Sequence, residues 1–187
     1  MTEGRVTDNY RNFLLVAALH KGKFRGRAYK SNDVQFEVEG NSVQDALGLL
    51  RNRIDELLAN LRKQRESQPV TSPEYVAAFK RILSRLTDGH RAMLKAHINA
   101  PGRTMTATEL AEAAGYENYS AANLQYGFVG KWLYEELLCP LSEREDGTKV
   151  YTCALATGLD EGREEVEWRW VMKPEVASAL ETLGLNH

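Results

Sequence analysis

At 187 residues, with 43% hydrophobic and 27% charged side chains and a formal net charge of −2, the chain is long enough to bury a core as one domain or two small ones. No apolar run approaches the roughly eighteen residues that cross a bilayer, and Glu3 and Asp8 beside Arg5 lack the basic-then-apolar plan of a secretion signal, so a cytoplasmic location with no membrane partner is expected. Two cysteines, Cys139 and Cys153, are too few for a disulfide framework or a thiolate zinc site and read as buried reduced thiols.

The first 66 residues read as a three-stranded meander and a helix. Phe13 to Leu19 is an apolar, partly β-branched run. Lys23 to Lys30 alternates, and Val34, Phe36 and Val38 alternate with Gln35, Glu37 and Glu39, the period-2 pattern of a half-buried strand. Gly22 and Ser31-Asn32-Asp33 supply the turns. After Gly40, Ser42 caps a helix in which Val43, Ala46, Leu47, Leu50, Ile54, Leu57, Leu58 and Leu61 repeat at three and four, one wide apolar stripe that would cover a face of the sheet. Apolar periodicity stops in Arg62 to Pro69, so the boundary falls between about Arg62 and Ser72, giving units 1–68 and 69–187.

The passage Phe36 to Leu47, running from strand through Gly40 and the capping Ser42 into an acidic-and-alanine helix start, resembles the HicB-like antitoxin domain over about residues 11–62. That resemblance implies a small α/β domain joined to a DNA-binding unit, with toxin neutralisation as the activity to expect.

In the second unit, Ser72 reads as a cap with Pro73 at the first helical position, and Tyr75, Val76, Phe79, Ile82, Leu83 and Leu86 form a helical stripe. Thr87 or Asp88 caps a further helix carrying Met93, Leu94, His97 and Ile98, which Asn99-Ala100-Pro101-Gly102 must end. Thr106 and Glu109 then form an S/T-x-x-E capping box for a short helix ending at Gly115, and Ser120 caps a longer helix from Ala121. Two helices across so short a turn are the unit that places its second helix in a DNA groove. Beyond Pro140, Tyr151–Thr157 and Glu165–Met172 read as strands around a polar loop, and a last helix runs from Pro174 to before Gly184. The fold class expected is therefore α+β: a small three-stranded antiparallel sheet plus helix, followed by a winged-helix-like helix-turn-helix domain.

The segments Thr106 to Tyr116 and Ala122 to Gly127 also look like a part that precedes HNH nuclease domains in bacterial proteins, a likeness covering about residues 75–183. It implies a DNA-recognition role. The only histidines are His20, His90, His97 and His187, without a Cys/His array, so cleavage does not carry over.

On the second helix of the motif, Leu124, Phe128, Leu133 and Leu137 are placed to face a core, which leaves Asn123, Gln125, Tyr126 and Lys131 outward. Asn and Gln can pair bidentately with adenine, and Lys and Tyr reach phosphates. Ser120, at the helix start, offers a phosphate seat, and Arg103 could clamp the opposite strand. Gly127 and Gly130 each cost a helix about 1 kcal/mol relative to alanine, which marks a close approach by a neighbouring helix or a nucleic-acid strand. Lys21, Lys23, Arg25 and Arg27 alternate and form a basic stripe, either tracking phosphates or pairing across the sheet with Gln35, Glu37 and Glu39.

Charge is unevenly spread. Residues 1–68 carry 12 basic and 9 acidic side chains, residues 69–141 carry 7 and 7, and residues 142–187 carry 5 and 10. Glu143, Glu145, Asp146, Asp160, Glu161, Glu164, Glu165 and Glu167 make the expected hairpin acidic, a poor neighbour for phosphates. Trp168 and Trp170 share a strand face and read as core with Trp132, or else as an aromatic patch for a protein. No phosphate-binding glycine loop, H-E-x-x-H or G-x-S-x-G is present, so no enzyme, cofactor or metal is expected. The function expected is non-catalytic binding of double-stranded DNA in regulation or bacterial defence, with a homodimer formed through the N-terminal sheet. The alternative is a protein-interaction module, an inhibitor, antitoxin or DNA mimic, using the acidic hairpin.

Overall fold

The computed structural model describes residues 4–159 and 167–187, and the chain divides into two compact units between Lys63 and Gln64. The expected glutamates and aspartate at positions 160–165 lie outside the described residues. No helix among the described residues is long and apolar enough to cross a membrane.

In the first unit, four strands follow one another as an antiparallel meander: β1 (Val6–Tyr10), β2 (Phe13–His20), β3 (Lys23–Lys30) and β4 (Asp33–Gly40). The expected three-stranded sheet is thus corrected to four, because Thr7, Asp8 and Asn9 hide β1 among polar residues although its full length pairs with β2, Val6 opposite Ala17 and Tyr10 opposite Phe13. Two of the turns are two-residue loops with both residues at positive φ, Lys21-Gly22 (49° and 79°) and Ser31-Asn32 (49° and 72°). This handedness matches the strand twist. Helix α1 (Val43–Arg65) opens with the Ser42 hydroxyl accepting the Asp45 N–H at 3.0 Å and the Asp45 carboxylate accepting the Asn41 N–H at 2.7 Å. Ala46, Leu47, Leu50, Ile54 and Leu58 bury one side of it, with Phe13, Leu15, Ala17 and Ala28 buried on the sheet. At Gly26 a methyl group would press on Leu50 and Ala46, so the bare backbone lets helix and sheet close up. Asp8 to Arg51 at 2.6 Å and Tyr10 to Asp55 at 2.8 Å tie β1 to the same helix.

The second unit begins its helices at α2 (Ser72–Ile82) and α3 (Asp88–Asn99), followed by β5 (Thr104–Thr106), α4 (Ala107–Ala114), α5 (Tyr119–Leu137), β6 (Ala156–Leu159), β7 (Arg169–Met172) and α6 (Pro174–Thr182). The cap of α2 is Thr71 rather than Ser72, with Glu74 accepting from both the Thr71 N–H and hydroxyl at 2.8 Å. Strand order is β5-β7-β6, all antiparallel. The expected pair of strands is corrected here too: Tyr151–Ala154 is a 3-10 turn, and β5 adds a third strand by pairing with β7. Tyr75, Phe79, Met93, Leu110, Tyr126, Leu133 and Leu180 are among the fully buried side chains of one core that takes in every helix of this unit from α2 to α6. Burial of each large apolar side chain contributes about 1.5–3 kcal/mol.

Candidate nucleic-acid interface

The turn between α4 and α5 is built from local signals. Thr106 caps α4, its hydroxyl accepting the Glu109 N–H at 3.2 Å while the Glu109 carboxylate accepts the Thr106 N–H at 2.7 Å. Gly115 ends that helix at φ 68°, a left-handed conformation that glycine adopts without strain, and the next N–H, from Tyr116, returns to the Ala111 carbonyl at 2.9 Å. Tyr116 then lays its hydroxyl end against Gly89 of α3, where a side-chain carbon would collide with it. Helix α5 starts two residues earlier than expected, at Tyr119 instead of Ala121. Its cap is Asn118, whose side chain accepts the Ala121 N–H at 3.0 Å, so Ser120 sits within the first turn and is exposed.

The rotation of α5 differs from the sequence expectation at four positions. Leu124 and Phe128, placed toward the core, are 57% and 39% exposed. Tyr126, placed outward as a phosphate contact, is buried at 1% exposure, and its hydroxyl donates to Nδ1 of His97 at 2.7 Å. It cannot touch DNA. Gln125 is half-buried and its amide oxygen accepts from Nε2 of His90 at 2.9 Å. Bidentate adenine recognition needs an amide's oxygen and nitrogen together, so of the two expected readers only Asn123 keeps both available.

Two histidines of α3 fix this rotation. Nδ1 of His90 accepts the Thr87 N–H at 3.1 Å, completing a capping box in which the imidazole takes the place of a carboxylate, which puts the ring proton on Nε2 toward Gln125. His97 likewise uses both nitrogens, Nδ1 toward Tyr126 and Nε2 at 2.9 Å from the Trp170 carbonyl. Burial pushes both histidines below their ordinary pKa and the Tyr126 phenol above its own. On the far side of α5, Gly130 is packed beneath the Tyr151 carbonyl with no room for a methyl group, whereas Gly127 faces open space. Within the described residues, the close approach foreseen at both glycines occurs only at Gly130, and it comes from the 3-10 turn.

Ser120, Asn123, Gly127 and Lys131 consequently share one side of α5, flanked by Leu124 and Phe128. From Tyr119 to Tyr134 the helix contains no carboxylate, and Lys131 is its one full charge. Among the described residues the Asn123 amide makes no hydrogen bond. Arg103 lies elsewhere, in the turn after α3, half-buried with φ 53°. Phe128 stacks on Trp132 with ring centres 6.4 Å apart, and the Arg85 guanidinium lies 4.3 Å over the Trp132 ring.

Trp168 is 49% exposed, as the aromatic-patch reading has it and not the core one, its ring lying across Gly158 in the space a side chain would fill. Ser142 to Val150 forms a tight turn closed by the Val150 N–H to the Ser142 carbonyl at 2.9 Å and by Lys149 with Glu143 at 2.8 Å. The D-G dipeptide at Asp146-Gly147 was a legible signal for that turn. Glu167 places a carboxylate oxygen 2.8 Å from the Thr108 N–H, at the positive end of α4. In the first unit the basic stripe is largely neutralised: Lys23 and Arg25 reach Glu39 at 2.7 and 3.1 Å, Arg27 reaches Glu37 at 3.1 Å, and Lys21 is in a turn.

Compared with protein-family models, with curated proteins and with solved structures, the chain matches none of them.

Proposed function

We propose that the chain is a non-catalytic, winged-helix-type protein that binds double-stranded DNA through α5. The observation that carries this is the exposed, carboxylate-free side of α5, with Ser120, Asn123, Gly127 and Lys131 in line on the second helix of a helix-turn-helix. Open space at Gly127 lets a groove wall come close, Asn123 has the donor and acceptor that adenine requires, and Lys131 meets a phosphate. The net acidity of residues 142–187 opposes binding, at close range through Glu167 in the cleft that Asn123 also lines, so affinity rests on the α5 side chains and falls with salt.

A fluorescence titration of mixed-sequence duplex at low and moderate salt tests the proposal. Wild type binds with a negative salt slope, and Lys131→Glu weakens binding and reduces that slope by about 1, the signature of one lost phosphate contact. Absence of binding at low salt overturns it. A second reading is favoured by one observation, the exposure of Leu124 and Phe128 on the flank of the same helix, which suits a protein partner. Under that reading, Phe128→Ser abolishes partner capture and DNA is not retained.

A further inference from the structure

Beside the α5 surface the second unit opens a cleft of about 430 Å³, in the size range of small-ligand sites. Its walls include the rings of Tyr119, Trp168 and Trp170, and its polar groups include Asn123, Arg144 and Glu167. Trp168 and Trp170 meet at 61° with centres 6.1 Å apart, so the cleft presents aromatic surface in two orientations. Trp168 and Tyr119, at 49% and 57% exposure, are held out to solvent at its mouth. Asn123 supplies both a donor and an acceptor, and Glu167 spends one oxygen on the Thr108 N–H, leaving the other as an acceptor.

A flat ligand with π faces and a hydrogen-bonding edge suits these groups. Arg144 and Glu167 balance in charge within the same wall, so the cleft has no net negative charge to hold a quaternary ammonium, the other common guest of an aromatic cage. A base still paired in a duplex cannot enter, since stacking covers both its faces. We propose that this cleft takes a single nucleobase rotated out of a DNA duplex, stacked on Trp168 with its exocyclic amine received by Glu167. The proposal rests on the duplex-binding function above. Tyr119 and Asn123, on successive turns of α5, connect the two surfaces. Unpairing costs least where a base has no partner, so the site favours a duplex containing one.

Anisotropy titrations of the full chain with a matched duplex and with the same duplex carrying one unpaired cytosine test this. The unpaired cytosine is expected to tighten binding by at least about fivefold, the lower end of what one base–aromatic stack supplies. Trp168→Ala removes that gain while matched-duplex affinity stays within about twofold, and Trp168→Phe, which keeps an aromatic face, restores part of it. Equal affinity of wild type for the two duplexes overturns the inference and leaves duplex binding standing. So does a Trp168→Ala variant that weakens both alike, which is a structural role. Failure to bind either duplex removes the proposed function as well.

Discussion

Replacing Tyr126 by phenylalanine isolates the bond that sets the rotation of α5. The ring and its packing are retained, so the transfer and cavity contributions of the side chain nearly cancel, and what is lost is the 2.7 Å hydrogen bond to Nδ1 of His97. His97 is fully buried and its Nε2 is committed to the Trp170 carbonyl, leaving Nδ1 an acceptor without a partner or water. Stranding such a group costs about 1–3 kcal/mol. Urea denaturation followed by tryptophan fluorescence should show a lower midpoint at unchanged slope for the second unit, and Tyr119→Phe, at an exposed position, should stay within about 0.5 kcal/mol of wild type. A double variant that also replaces His97 with leucine should lose less than the two single changes added together, because both single changes break the same bond and the Nδ1 acceptor that Tyr126→Phe strands is gone, although the Trp170 carbonyl still loses its donor. Stability of Tyr126→Phe within about 0.5 kcal/mol of wild type would refute the claim that His97 and Tyr126 hold each other.

Gly127 and Gly130 should respond oppositely to alanine: at Gly127, with open space, helix stability rises by up to about 1 kcal/mol, whereas at Gly130 the new methyl group meets the Tyr151 carbonyl and a net loss of about 1–3 kcal/mol follows, both read from thermal midpoints. Acidification tests the two histidines together. His90 and His97 lie below their ordinary 6.5 when folded, so the unfolded chain takes up protons on them first, and stability should decline as pH falls through about 6.5 toward the folded values. The paired carboxylates Asp8, Glu39 and Glu74, also lowered, contribute only below their ordinary values of 3.8 to 4.5. A urea midpoint that is flat between about pH 7.5 and 5.5 would contradict neutral, doubly bonded histidines.

What the sequence disclosed was set by how local each cause is. The Thr106–Glu109 box, the Gly115 stop and the strands β2 to β4 follow from signals a few residues apart, and they form where the pattern puts them. Strand β1 did not show, because its polar Thr7-Asp8-Asn9 pairs with β2, and Asp8 and Tyr10 are held by Arg51 and Asp55, tens of residues away. The three-residue β5 depends on β7, more than sixty positions later. On α5, apolar residues lie on most sides, so periodicity could not choose which of them faces inward. His90 and His97 make that choice by satisfying Gln125 and Tyr126, and no rule within the helix itself records it. Asn123 and Lys131 are exposed as the spacing placed them, Ser120 is exposed but is not the cap, and Trp168 lies across Gly158 outside the core, as the aromatic-patch alternative has it.

Backbone amide chemical-shift mapping during titration with duplex DNA addresses the central proposal directly. The shifts expected to dominate are those of Ser120, Asn123, Gly127 and Lys131, with the helix α6 amides of Val176 to Leu180 unmoved. Shifts concentrated on another surface, or none at a DNA concentration well above that of the protein, would contradict the assignment of α5 as the DNA-reading helix.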